Sequence, residues 1–303
     1  MDHTRASGSW LGAVAVALGL SFVALQPGVT LHARQGFADL PGVRLWFTDS
    51  GGSGEPVVLL HPNTGTSEIW EPQIATLERA GFRVIAFDRR GWGRSTADPT
   101  TGAQPGHVAE DLDRLADFLS LTRFHLVGVA GGGFVALDYA AWRGERVRSL
   151  VVGASTGAVS DRTIQEAIAR IEIPGIRALL AHYREVGPSY RAVNPDGTAR
   201  WLEIHERAQQ KGAPAQPLRS PNTFAKLATI GVRTLVMPAG ADLLAPPALM
   251  WMWAQHVKGA QWVVVPDAGH AVAWERPELF NTYLLQFLRG RSQFPKAKDV
   301  PRP

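Results

Sequence analysis

The stretch HLVGVAGGGFVALDYA, residues 125–140, has the pattern of a reaction centre. An apolar run enters a glycine cluster and leaves as an amphipathic stretch. That is the pattern of a strand, a sharp turn and a helix, in which the turn holds one reactive side chain above a sheet. Nucleophilic attack is the chemistry such a mount serves. The residue at the apex, however, is Ala130, which has no atom able to attack a carbonyl.

The elements around this turn follow one rhythm. VRLWFTD (43–49) and PVVLLH (56–61) read as strands separated by the turn SGGSGE. A helix is expected over 67–81, a strand over 83–89 and a helix over 107–121, where Val108, Leu112, Leu115 and Leu119 share a face. After the elbow come a strand at 147–155, then strand–helix pairs at 232–240 with 246–257 and at 261–269 with 276–289. Near-continuous apolar strands alternating with helices imply an α/β fold, a mostly parallel, doubly wound sheet covered on both faces. The segment of about 157–229 breaks the rhythm: it is helical, polar and divided by prolines, and reads as a lid insertion over the sheet's C-terminal edge.

Length and composition set the limits. With 303 residues, 45% of them hydrophobic and 19% charged, the chain is long enough for one large domain with a buried core. The net charge of +4 is mild, the basic residues after 290 read as a solvated tail, and no stacking aromatics interleave with a basic face, which argues against nucleic acid. The chain has no cysteine, so disulfides and thiol catalysis are excluded. No two histidines stand at ligand spacing with a carboxylate, and no metal or cofactor is implied. The glycine cluster does not match a dinucleotide fingerprint: Ala130 and Ala136 spoil both registers, and VVGAST ends without a carboxylate.

Residues 1–33 differ from the rest. Arg5 precedes WLGAVAVALGLSFVAL, a run of 16 residues without charge, which resembles a secretory signal or a short N-terminal anchor. As a helix the run would span about 24 Å, short of the ~30 Å hydrocarbon core. A periplasmic or secreted protein is the expectation, with membrane anchoring through this segment as the variant.

Five segments give the chain, from about residue 38 to 290, a specific likeness. LLHPNTG (59–65) follows a strand, DRRGWGRS (88–95) has the D-x-R-G-x-G-x-S pattern, GVAGG (128–132) stands where G-x-S-x-G is expected, and GADLLAPP (240–247) and DAGHAVAWERPELF (267–280) come last. Their order resembles that of the α/β-hydrolase fold family. The resemblance implies His270 as base, Asp242 as its orienting carboxylate, and the N–H groups of Asn63 and Gly131 as oxyanion donors. Asp242 has an alternative as a helix N-cap, and Asp267 is a rival acid. His61 is read as a brace of its loop, and Asp88, Arg90, Gly91 and Gly93 as turn architecture. Trp201, Tyr190 and Arg191 in the insertion are candidate substrate contacts.

Ala130 divides the functional expectations. In a protease of the same logic, loss of the serine costs about 10⁶-fold in kcat. One reading is an enzyme acting on a small carbonyl compound, by ester or lactone hydrolysis, through an Asp242–His270 dyad without a covalent intermediate. Others are cofactor-free lyase, decarboxylase or oxygenase chemistry on the same dyad, a serine hydrolase disarmed by a Ser-to-Ala change, and a non-catalytic ligand-binding protein.

Overall fold

The computed structural model describes residues 34–301. The expected leader, residues 1–33, lies outside them. Among the described residues no helix is long and apolar enough to cross a membrane.

Among the described residues nine strands form one sheet: β1 (Arg34–Leu40), β2 (Val43–Asp49), β3 (Pro56–Leu60), β4 (Arg83–Phe87), β5 (Thr96–Ala97), β6 (Phe124–Val129), β7 (Val147–Gly153), β8 (Thr234–Met237) and β9 (Gln261–Trp262). The order is β1-β2-β4-β3-β6-β7-β8-β9, with β5 paired to β2. From β4 through to β9 every neighbouring pair is parallel, whereas β2 is antiparallel to β1, β4 and β5. Parallel strands carry apolar residues on both faces because helices cover both. Val58, Leu60, Leu126, Val152 and Val236 face one core, and their alternates Val57, Leu59, Val127, Val151 and Leu235 face the other.

The chain passes from β3 outward to β4 on one side and later to β6 on the other. The strand order reverses there, so a crevice opens beyond the C-terminal ends of β3 and β6, the usual ligand position in open α/β sheets. Helices α1 (Glu71–Arg79), α2 (Val108–Phe118) and α3 (Gly131–Trp142) follow the first strands. Between β7 and β8 lie α4 (Arg162–Ile171), α5 (Ala181–Glu185), α6 (Pro188–Val193), α7 (Pro195–Glu206) and α8 (Phe224–Ala228). The chain closes with α9 (Pro247–Ala254), α10 (Val272–Glu275) and α11 (Pro277–Leu288).

Three expectations are corrected. β1 was not foreseen, since RQGFADL adjoins the leader and has weak apolar alternation; its seven-residue pairing with β2 makes it a strand. The strand expected over 261–269 is regular only at Gln261–Trp262, with one further bridge, Ala239 to Val265. The tail is not simply solvated. Trp262 N–H donates to Pro295 O (2.8 Å), Ala297 N–H to Ala260 O (2.8 Å) and Trp251 Nε1 to Ala297 O (3.0 Å), so residues 295–297 cover the open edge at β9.

Candidate active site

A sharp turn joins β6 to α3. Ala130, between β6 and α3, has φ 47° and ψ −117°, a conformation costing an L-residue about 1–3 kcal/mol. Glycine enforces it: a Cβ on Gly132 would lie 2.1 Å from Leu60 O, so only a bare backbone lets α3 start this close to β3. The Ala130 carbonyl accepts the Ser155 hydroxyl at 2.7 Å, which commits Ser155 to supporting the turn.

His270 and Asp242 come together from loops after the last two strands. The imidazole Nδ1 stands 2.9 Å from Asp242 Oδ2, while Asp242 Oδ1 accepts the N–H groups of Leu244 (2.8 Å) and Ala245 (2.9 Å). That turn fixes the carboxylate but does not cap α9, whose first turn starts after Pro246. Burial opposes a charge on His270. The charge and hydrogen bond of Asp242, followed by the charges of Glu185 and Glu275, overcome it and push the imidazole up to about 9. Asp242 moves the opposite way: burial would raise its carboxyl, and His270 with the two backbone N–H groups lowers it. Asp267, the rival acid, accepts Ser189 Oγ at 2.7 Å and faces Arg276.

Two carboxylates flank the histidine loop. Glu275 is buried and accepts Gly269 N–H (2.8 Å) and Gly187 N–H (2.9 Å), pinning the loop between α5 and α6 to the histidine loop. Burial pushes its carboxyl up to about 6 against those bonds, and its other oxygen has no partner among the described residues. Glu185, at the end of α5, accepts the Thr64 hydroxyl at 3.0 Å. Thr64, Glu185 and His270 line a small cavity closed by Trp70, Trp201 and Trp274, of about 10 Å³.

The loop after β3 carries the remaining candidates. The Arg89 N–H donates to His61 Nε2 (3.0 Å), so Nδ1 bears the proton and donates to Pro62 O at 2.8 Å. Burial first, and then the charge of Arg89, hold this imidazole well below the usual histidine range, so His61 is a neutral brace. The Asn63 side chain lies over Gly131, where a Cβ would meet its Oδ1 at 2.3 Å. Asp88 accepts Ser67 N–H and Arg94 N–H, and Arg90 makes a two-bond pair with Asp111, both as turn architecture.

Beside Asn63 and Gly131 a second cavity of about 140 Å³ reaches down to Arg89, Trp92, Phe134 and Asp138. Of the three insertion residues singled out by type, Trp201 lines the His270 cavity. Tyr190 lines a separate groove with Asp267 and Arg276, and Arg191 another beside Leu243, with its guanidinium over Tyr183. Sequence reasoning missed Arg89, Glu185 and Glu275. Among the described residues no cluster of three or more His, Asp or Glu side chains could hold a metal.

The family model described as "Alpha/beta hydrolase family" matches residues 57–282. The chain belongs to that family. A protein of Variovorax paradoxus named for carbamate hydrolysis is 33% identical over 253 residues, covering 78% of this chain and 92% of its own. The 2-hydroxy-6-oxononadienedioate/2-hydroxy-6-oxononatrienedioate hydrolase of Escherichia coli is 28% identical, covering 81% and 91%. Among solved structures, a thermophilic esterase from Thermogutta terrifontis superposes with a TM-score of 0.70 at 27% identity, covering 86% of this chain and 99% of that one. The α/β-hydrolase fold with its mostly parallel sheet follows from both sequence and structure.

Proposed function

We propose that the protein hydrolyses a small ester or lactone with water activated directly by the Asp242–His270 dyad, without an acyl-enzyme. One observation carries this reading. The dyad is held rigidly by three hydrogen bonds next to a water-sized cavity, while the strained elbow presents Ala130. About 10 Å³ is close to the least room a water needs, and His270, Thr64 and Glu185 provide the two to four polar partners that hold one.

The chemistry then runs in one addition. His270, deprotonated at Nε2, takes a proton from the water as its oxygen adds to the carbonyl carbon. The Asn63 and Gly131 N–H groups stabilise the developing oxyanion; neither donates to a protein acceptor among the described residues. The imidazolium, stabilised by Asp242, returns the proton to the leaving oxygen. Ala130 leaves room where a serine would stand, and Val129 and the tryptophans exclude bulk water. The helices α5–α7 act as a lid, contributing Glu185 and Trp201 to the cavity wall. The names of the relatives, a carbamate hydrolase and a dienedioate hydrolase, agree with a carbonyl substrate. The apolar leader directs export to the periplasm or outside, which fractionation of the full chain against a chain lacking residues 1–33 would test.

The deciding experiment measures turnover of activated esters and lactones by the protein, by His270→Ala and by Ala130→Ser. Turnover by the alanine protein that is lost in His270→Ala supports the dyad mechanism. Turnover, with covalent labelling by a serine-directed phosphonate, only in Ala130→Ser would replace it with a disarmed serine hydrolase.

A further inference from the structure

Arg89 has no place in the mechanism above and is difficult to explain structurally. It is 4% exposed, yet no carboxylate lies within ion-pairing distance of it among the described residues. Its Nη2 donates to Asn63 Oδ1 (2.8 Å), its plane lies 4.5 Å over Trp92, and its Nε is buried without any partner. The other buried arginines differ. Arg83 is paired to Asp49 (2.7 Å) and Arg90 to Asp111 (2.7 Å). A buried charge without a counter-charge costs several kcal/mol, and a stability-driven fold has no reason to keep it. Burial alone pushes the guanidinium down to about 9.

Its position supplies a reason. Arg89 lines the 140 Å³ cavity together with Asn63, Gly131, Trp92 and Phe134. Asn63 links both ends, since its Oδ1 receives Arg89 and lies against Gly131. The cavity's other charged wall, Asp138, is occupied by Lys226 and by the Arg219 N–H. Arg89 is thus the one cationic group facing the cavity whose charge is unmatched among the described residues. A buried guanidinium that no protein carboxylate neutralises, backed by an indole, suits a carboxylate.

We propose that this cavity is a subsite for a carboxylate of the substrate, with Arg89 as its counter-charge. The inference rests on the hydrolytic reading only for the reacting carbonyl; the carboxylate subsite stands or falls separately. The substrate class is a half-ester or lactone acid, whose free carboxylate docks on Arg89 while the scissile carbonyl reaches toward Gly131.

Two measurements separate the cases. The first is calorimetric binding of glutarate and of its dimethyl ester, which needs no turnover. Glutarate binds and the diester does not, and Arg89→Gln weakens glutarate by about 30-fold or more, as for truncation of a buried charge pair. Arg89→Lys, which keeps the charge but loses the fork, falls between. The second compares hydrolysis of the mono-4-nitrophenyl ester of glutaric acid with that of 4-nitrophenyl valerate. Arg89→Gln lowers the acid-to-neutral ratio of kcat/KM through KM. If Arg89 only holds Asn63, the variant lowers both rates alike and the ratio stays put, which overturns the proposal. Equal binding of glutarate and its diester overturns it too. Glutarate binding without ester turnover would leave the subsite standing and refute the hydrolytic mechanism.

Discussion

Asp242→Asn tests the electrostatics of the dyad. The asparagine Oδ1 still accepts the Leu244 and Ala245 N–H groups, which leaves its NH₂ facing His270 Nδ1. That arrangement removes the neighbouring charge and selects the tautomer with the proton on Nε2, which cannot act as base. In the folded protein His270 is pushed from 6.5 up to about 9, a difference worth about 3 kcal/mol at ~1.4 kcal/mol per pH unit. Because the folded value is the higher one, this stability is complete below pH 6.5, declines as pH rises and is gone above about 9. Urea unfolding should therefore show Asp242→Asn less stable at pH 6 by up to about 3 kcal/mol, Glu185 and Glu275 keeping their share of the shift, and by far less at pH 10. Histidine proton resonances followed by NMR give the same quantity, with the His270 titration moving to lower pH. An equal loss of stability at both pH values would mean that the pair is not charged at pH 6, and the reasoning would be refuted.

Other consequences follow from the same geometry. Hydrolysis needs neutral His270, so kcat/KM should rise with pH up to a limb near 9, checked by a pH–rate profile. Glu275→Gln removes one of the charges that raise His270 and should move that limb to lower pH, whereas a purely structural role for Glu275 would leave it in place. Gly131→Ala would put a Cβ against the Asn63 side chain and force the loop bearing the Asn63 N–H donor away from Gly131; loss of that donor lowers kcat about 10²–10³-fold, read by steady-state kinetics. Asp111→Ala leaves Arg90 buried without its partner, and denaturant unfolding should register a loss of about 3–5 kcal/mol.

Much of the fold was legible because its signals are local. Apolar runs at β3, β4, β6 and β7 mark strands buried on both faces, and the glycines of GVAGGG mark a turn that a Cβ would block. The strand ends also located the loops carrying His270, Asp242, Asn63 and Gly131, since in a parallel sheet all C-terminal ends lie along one edge. By itself, the sequence established an α/β architecture and a sharp strand–turn–helix with Ala130 at its apex. Tertiary structure decided what depends on partners distant along the chain. The Thr64 hydroxyl meets Glu185 across 121 residues, and Gly187 meets Glu275 across 88. Neither Tyr190 nor Arg191 reaches the His270 cavity, although residue type suggested they would, because the turns between α5 and α7 aim them into other grooves. Arg89 and Arg90 are identical in sequence terms. Only packing reveals that one charge is matched and the other is not, because burial and pairing belong to the folded surface and not to the residue.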